Sequence, residues 1–182
     1  MEMLCIDFIN SRWYITHELF ADQLKNTGWL MELAGKWDIA SLPVPSERQV
    51  EELIEMRGIF AVLLEKTAGG GNLTEADIKH VNSYMAGAGF SRRLVEENDL
   101  CRLSLIPEKR NWNWFMAEVA ASFSELYTKE LADRLRMCGN PQCGWFFIDE
   151  SKSKNKKWCD DTCASLMKVR RFRQRQKGEL KE

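Results

Sequence analysis

Histidine is scarce. The 182 residues hold two, His17 and His80, far apart, and no nucleophile motif or third orienting group can be set beside either. His17, near Trp13 and Tyr14, reads as a structural side chain, and His80 as a surface residue of a helix. Long apolar runs are also missing: no window approaches eighteen residues, so no segment reads as a membrane span. The opening MEMLCIDFINS carries Glu2 and Asp7 and no basic leader, so it does not read as an export signal, and a cytoplasmic protein is expected. The run Gly69 to Gly71 is followed by no GK[ST], which makes it a turn rather than a phosphate cradle. Paired acids such as Glu51-Glu52 and Glu96-Glu97 read as solvated faces. We therefore expect no enzyme. With 45% apolar and 29% charged residues, the composition excludes a disordered tail, a collagen-like fibre and a disulfide-stapled miniprotein. One main domain of roughly 130–150 residues and a small satellite is the size expectation.

The net charge of −1 conceals an asymmetry. Residues 1–128 hold 12 Lys/Arg and 19 Asp/Glu, whereas residues 129–182 hold 14 and 8. Within the second part, residues 152–177 carry ten basic and two acidic side chains. Such an end is a solubilising tail, a contact for the acidic body, or a surface for a polyanion.

Hydrophobic spacing predicts a mainly α (α+β) chain. LCIDFIN is open between a strand and a first helical turn. A helix is predicted over about 18–34, with Leu19, Leu24, Trp29, Leu30 and Leu33 on its stripe. After Pro43 and Pro45, Ser46 with Gln49 fits a capping box opening a helix to about residue 66. Thr74 with Asp77 opens another, to about Met85. Residues 90–95 and 100–106 alternate as a small antiparallel hairpin. A long helix is predicted from about Asn111 to Arg136, running straight into the cysteine-rich end. Its Trp112 and Trp114 lie two apart and cannot share one narrow face, so one of them is expected at the surface. These elements divide the chain into a helical domain over 1–135 and a small module over 136–182.

Four of the six cysteines sit in that module, as Cys138-x4-Cys143 and Cys159-x3-Cys163. Two local pairs joined by a loop are what tetrahedral thiolate ligation of zinc requires. Gly139 and Asn140 suit the first knuckle; Asp160 or Asp161 can cap a helix that begins beside the third ligand. The segment 145–159 is expected to fold as a hairpin, with Trp145, Phe147 and Trp158 sheltering the site. The competing readings are reduced core thiols, disulfides or an iron–sulfur cluster. Zinc is preferred because four cysteines in a polar stretch are poor core fillers. With all four ligands thiolates, one Zn2+ is held for structure and no position is left for a reacting water. The arrangement is treble-clef-like. Cys5 and Cys101, in apolar surroundings, read as buried thiols.

After Cys163 the sequence ASLMKVRRFRQRQK places Lys168, Arg171 and Arg175 on one stripe, widened by Arg170, Arg173 and Lys177. Leu166, Val169 and Phe172 are expected to pack back on the protein. Guanidinium groups suit phosphate contacts and, in a major groove, base edges. Lys156 and Lys157 beside the module are further candidates for a nucleic-acid backbone.

The stretch CGNPQCGWFFIDESKSKNKKWCDDTCASLMKVRRFRQR, residues 138–175, strongly resembles the CGNR-type zinc finger of a bacterial protein family. The usual companion, an N-terminal ABATE domain, is matched by LCIDFINS at 4–11 and by the Asp22–Gly35 segment with Trp29-Leu30. The resemblance implies a stress-induced transcription regulator. It places the four zinc ligands on Cys138, Cys143, Cys159 and Cys163. It also carries over the hairpin positions to Phe147, Asp149 and Ser151, a Trp to Trp158, and the basic run to Lys168, Arg170, Arg171, Phe172 and Arg173. The Gly-Asn-Arg that names the family is Ala164-Ser165-Leu166 here, so zinc ligation survives while whatever that Asn and Arg contribute is missing.

The expected function is a zinc-containing DNA-binding regulator of transcription. Its N-terminal domain senses a small ligand or mediates assembly, and homodimerisation would suit paired half-sites. Asp7, Asn10, Arg12 and Trp13 are the candidate ligand pocket; the alternative is that Asp7 and Asn10 brace a local turn. The rival function is an RNA-binding or protein-interaction adaptor, with RNA or an acidic protein as partner and the zinc purely structural.

Overall fold

The computed structural model describes residues 2–12, 22–97, 100–129 and 131–179. LCIDFIN is helical, forming α1 (Leu4–Ile9) with Leu4, Cys5, Ile6, Phe8 and Ile9 all buried. Burial on every side removes the polar face that periodicity would detect. The next described helix, α2 (Thr27–Lys36), does not include residues 22–26 of the predicted 18–34, because two side chains there cap separate turns. Asp22 accepts from the Leu24 amide ahead of a 3-10 turn, Gln23–Lys25, and Asn26 accepts from the Trp29 amide at 3.2 Å. Trp13, Tyr14, His17 and Leu19 lie outside the described residues.

Helices α3 (Glu47–Ala68) and α4 (Glu75–Met85) open with the capping boxes predicted at Ser46/Gln49 and Thr74/Asp77. Between them Gly70 turns the chain at φ +76°, a conformation L side chains rarely adopt. His80, exposed on α4, stacks on Tyr84 with ring centroids 5.6 Å apart. Strands β1 (Phe90–Glu97) and β2 (Leu100–Pro107) form the predicted antiparallel hairpin, with Leu94 opposite Leu103. Cys101 on β2 is exposed, not buried as its apolar surroundings suggested, because among the described residues no other element covers that face; Cys5 is buried as expected, and burial pushes its thiol up to about 12.

The long helix α5 (Trp112–Thr128) stops eight residues before the predicted end at Arg136. A 3-10 turn, Ala132–Arg134, then leads into β3 (Leu135–Met137), which pairs antiparallel with β4 (Phe146–Ile148). Both tryptophans of α5 are buried, contrary to the expectation that one is exposed. The helix is enclosed on several sides, so two faces are apolar. Trp112 donates its indole N–H to the Pro43 carbonyl at 3.0 Å, and Trp114 donates to Glu118 at 2.9 Å.

The core is aromatic: Phe8 and Trp112 each meet Phe115 edge-on, at 5.8 and 5.4 Å, and Phe60 meets Phe123 at 5.3 Å. Leu135, Phe146 and Ile148 belong to this same core. The β3–β4 hairpin is therefore stitched into the helical body, and it carries the cysteine-rich end with it.

A charged pair crosses the interior. Arg57 of α3 is buried and donates to both Asp22 oxygens at 2.6 Å and to the Ser11 hydroxyl at 3.0 Å. Arg57 stands in register with Leu53, Phe60 and Leu64, a charged residue at a core position of the helical stripe.

Candidate metal centre and basic helix

The β3–β4 hairpin turns through the first cysteine pair. The Cys138 amide donates to the Trp145 carbonyl at 2.8 Å, and the Cys143 amide to the Asn140 carbonyl at 2.9 Å. Gly139 donates to the Lys157 carbonyl at 2.8 Å, and a Cβ there would meet the Trp158 ring at 3.0 Å and the Lys157 carbonyl at 3.2 Å, so glycine lets the knuckle pack closely on both. The strands thus flank Cys138 and Cys143, and segment 145–159 does not form the hairpin predicted for it. Its second half is instead folded around buried Asp149. That carboxylate accepts from the Ser151 amide and hydroxyl, at 2.9 and 2.5 Å, and from the Lys156 amide at 2.8 Å. These bonds, the Ser151 hydroxyl first, hold the Asp149 carboxyl below the usual carboxylate range.

The second pair rides on α6 (Asp161–Glu179), where Asp160 caps the helix by accepting from the Cys163 amide at 2.8 Å. Trp145, Phe147 and Trp158 pack on the four cysteines as expected. The four sulfurs lie within 4.8 Å of one another, and Cys143 and Cys159 are 3.6 Å apart. Zinc–sulfur bonds of about 2.3 Å in a tetrahedron separate sulfurs by about 3.8 Å, so the spacing fits one ion; all four cysteines are free, not disulfide-bonded. Crowding opposes ionisation. The Cys143 thiol and burial push Cys159 far above its ordinary value, and burial above all lifts Cys163 to about 11. A divalent cation reverses that balance by holding the sulfurs as thiolates. The cluster is suited to one structural Zn2+, with every position taken by sulfur and none for catalysis.

Asn140 ties this centre to the basic helix. Fully buried, it donates to the Cys163 sulfur at 3.3 Å and accepts from Arg170 at 3.3 Å, while Arg170 also donates to Gln142. Arg170, named for nucleic acid by sequence, is thus engaged with the knuckle. Arg171 lies over the Trp158 ring at 5.6 Å and Lys156 over Phe147 at 5.5 Å. Lys157, Lys168, Arg173 and Arg175 are exposed; Lys177 is in α6, and its side chain lies outside the described residues. Leu166, Val169 and Phe172 do not pack back as predicted: they are 37%, 46% and 60% exposed. The helix turns Cys163, Met167 and Arg170 inward, and these three apolar residues fall on other faces.

The pocket candidates are dispersed. Asp7 and Asn10 share an open cleft of about 340 Å3 with Trp29, Lys36 and Trp145. There Asp7 accepts from Lys36 at 2.8 Å and from the Trp37 indole at 3.1 Å. Arg12 lines a second cleft with Asn10, and Trp13 lies outside the described residues. Asn10 does not brace a local turn. Its amide pairs with Phe146 as a strand would, donating to the carbonyl at 2.8 Å and accepting from the N–H at 2.9 Å. Trp145 adds a bond to the Arg12 carbonyl at 3.3 Å. Sequence reading missed this clamp, since a partner 136 residues away leaves no local pattern. Replacing Asn10 with Ala leaves two β4 backbone groups unpaired, so we predict a loss of about 2 kcal/mol in thermal unfolding and faster amide exchange at Phe146.

Residues 134–176 match the model of the CGNR zinc finger, and residues 2–130 match that of the ABATE family, described as "Putative stress-induced transcription regulator". No curated protein matches the chain. The protein joins a zinc-binding module to a regulatory domain, and fold and family alike are those of a regulatory rather than a catalytic protein. Among the described residues no helix is long and apolar enough to cross a membrane. With well over half of its length covered by the second match, the chain belongs to the ABATE family and ends in a CGNR zinc finger.

Proposed function

We propose that the protein is a cytoplasmic DNA-binding regulator of transcription, in which residues 1–135 form the regulatory body and residues 136–182 the output module. The observation that carries this reading is the outer face of α6. Lys168 and Arg175 stand two turns apart, flanked by Arg171 and Arg173, and Phe172 and Val169 lie exposed among them. The helix is about 28 Å long, and among the described residues it is held at its zinc end. A rod so anchored, positive outside and apolar at its centre, suits a major groove: cations meet phosphates, and Phe172 meets thymine methyl groups. Asn140 and Arg170 fix α6 against the first knuckle, although Ala164-Ser165-Leu166 stands where the family has Gly-Asn-Arg. The Asp7, Asn10 and Arg12 clefts border the Asn10 clamp, so a small ligand seated there would act on β4 and through it on α6.

Exposed Phe172 also supports a second reading, stacking of unpaired RNA bases. Titration of zinc-loaded protein with pooled duplex DNA and with unpaired RNA separates the two. We expect duplex preference, and we expect Phe172→Ala to reduce discrimination between duplex sequences by up to about tenfold while leaving the salt dependence unchanged. Tighter binding to RNA, lost in the same variant, would replace the DNA reading with the adaptor one.

A further inference from the structure

The β1–β2 hairpin presents an apolar face that no described element covers. Leu94, Leu103 and Leu105 share that face and are 72%, 68% and 63% exposed. Among the described residues neither strand packs extensively on another element. A lone two-stranded hairpin is marginal in water, and a large exposed leucine cluster marks a contact surface.

We propose that this face is the dimerisation surface of the protein and that its partner is the same face of a second copy. Charge decides the occupant. Arg92 and Glu96 lie on the leucine face two residues before and two residues after Leu94, because alternate residues of a strand share a face. A two-fold axis between stacked hairpins, perpendicular to the strands and over the Leu94–Leu103 pair, runs each strand antiparallel over its own copy. Leucine then meets leucine at the centre, and Arg92 of each copy faces Glu96 of the other. The surface complements itself in shape and in sign, as an isologous contact requires. A face two strands wide falls short of the about 800 Å2 per partner of a standard interface, so dissociation is expected in the micromolar range. This inference stands apart from nucleic-acid binding.

Sedimentation equilibrium of the full zinc-loaded chain over a wide concentration range tests it. The wild type is expected to dimerise. Leu103→Asp should abolish the dimer, and Arg92→Glu should weaken it at least about tenfold, since like charges then meet twice. The exchange Arg92→Glu with Glu96→Arg restores opposite signs and should restore the dimer. Unchanged circular dichroism of each variant keeps the result distinct from misfolding, because the substituted side chains are exposed. A wild type that stays monomeric, or a dimer indifferent to Leu103→Asp or not recovered by the exchange, would overturn the proposal. In the monomeric case a different protein covers this face.

Discussion

Cys143→Ser will empty the metal centre and unfold the C-terminal quarter of the protein. The Cys143 sulfur is fully buried, 3.6 Å from Cys159, at the point where β4 leaves the knuckle. A serine hydroxyl stays protonated at neutral pH and is a poor zinc ligand, so three thiolates would remain around an incomplete tetrahedron. In small zinc modules the metal supplies about 10–16 kcal/mol of apparent folding energy, as much as the whole stability of an ordinary domain. Metal analysis should fall from one zinc per chain to nearly none. Two consequences separate this from a local defect. The helix signal of α6 should drop, because its N-terminal turn loses the Cys163 and Asn140 anchors. The main unfolding transition should also move down, since Phe146 and Ile148 of β4 belong to the common core. Chelation of the wild type should reproduce both effects, and added zinc should reverse them in the wild type alone. A variant that retains zinc and α6 would contradict the assignment.

Arg57→Ala is expected to cost about 3 kcal/mol, the typical effect of breaking a buried ion pair. Burial acts to raise the Asp22 carboxyl, and the hydrogen bonds and charge of Arg57 overcome it, leaving the group below its ordinary value. Because the folded pKa is depressed, the stabilisation is complete above the unfolded value of about 4 and is lost as the pH falls through the lower folded value. Without Arg57 burial is opposed only by the Leu24 amide and the charge of Lys25, the smaller influences, so the Asp22 pKa rises and the variant should lose less than the wild type on acidification. Urea unfolding at pH 7 and near pH 3 should therefore show the gap narrowing. Arg57→Met combined with Asp22→Asn should be less destabilising than the sum of the two, since no charge is left unpaired. A gap that is independent of pH would mean that Arg57 acts through packing.

Legibility followed the range of each interaction. The capping boxes at Ser46 and Thr74 and the 90–107 hairpin are local, and spacing alone finds them. The four zinc cysteines are also legible, since ligand chemistry restricts which residues recur at short intervals. What escaped depends on distant partners. Asn10 pairs with Phe146 across the chain, and α5 stops at Thr128 because Leu135 is needed as a core strand. Phe172 on α6 and Cys101 on β2 are apolar positions that the sequence suggests are covered, yet both face solvent. A sequence records that a residue is apolar and does not record whether its partner is within the chain. Arg57 carried a readable signal, a charge inside an otherwise apolar stripe.

The salt dependence of duplex DNA binding tests the central claim most directly, measured on the zinc-loaded wild type and on a variant with Lys168, Arg173 and Arg175 changed to Glu. These three side chains are exposed and make no contact with the zinc centre, so the variant should keep its zinc and its melting temperature. Each phosphate contact contributes about 0.9 to the slope of log affinity against log salt. We predict steep dependence in the wild type, and in the variant weaker binding with a slope reduced by about three. Equal binding and equal slopes in two folded, zinc-replete proteins would remove nucleic acid from α6.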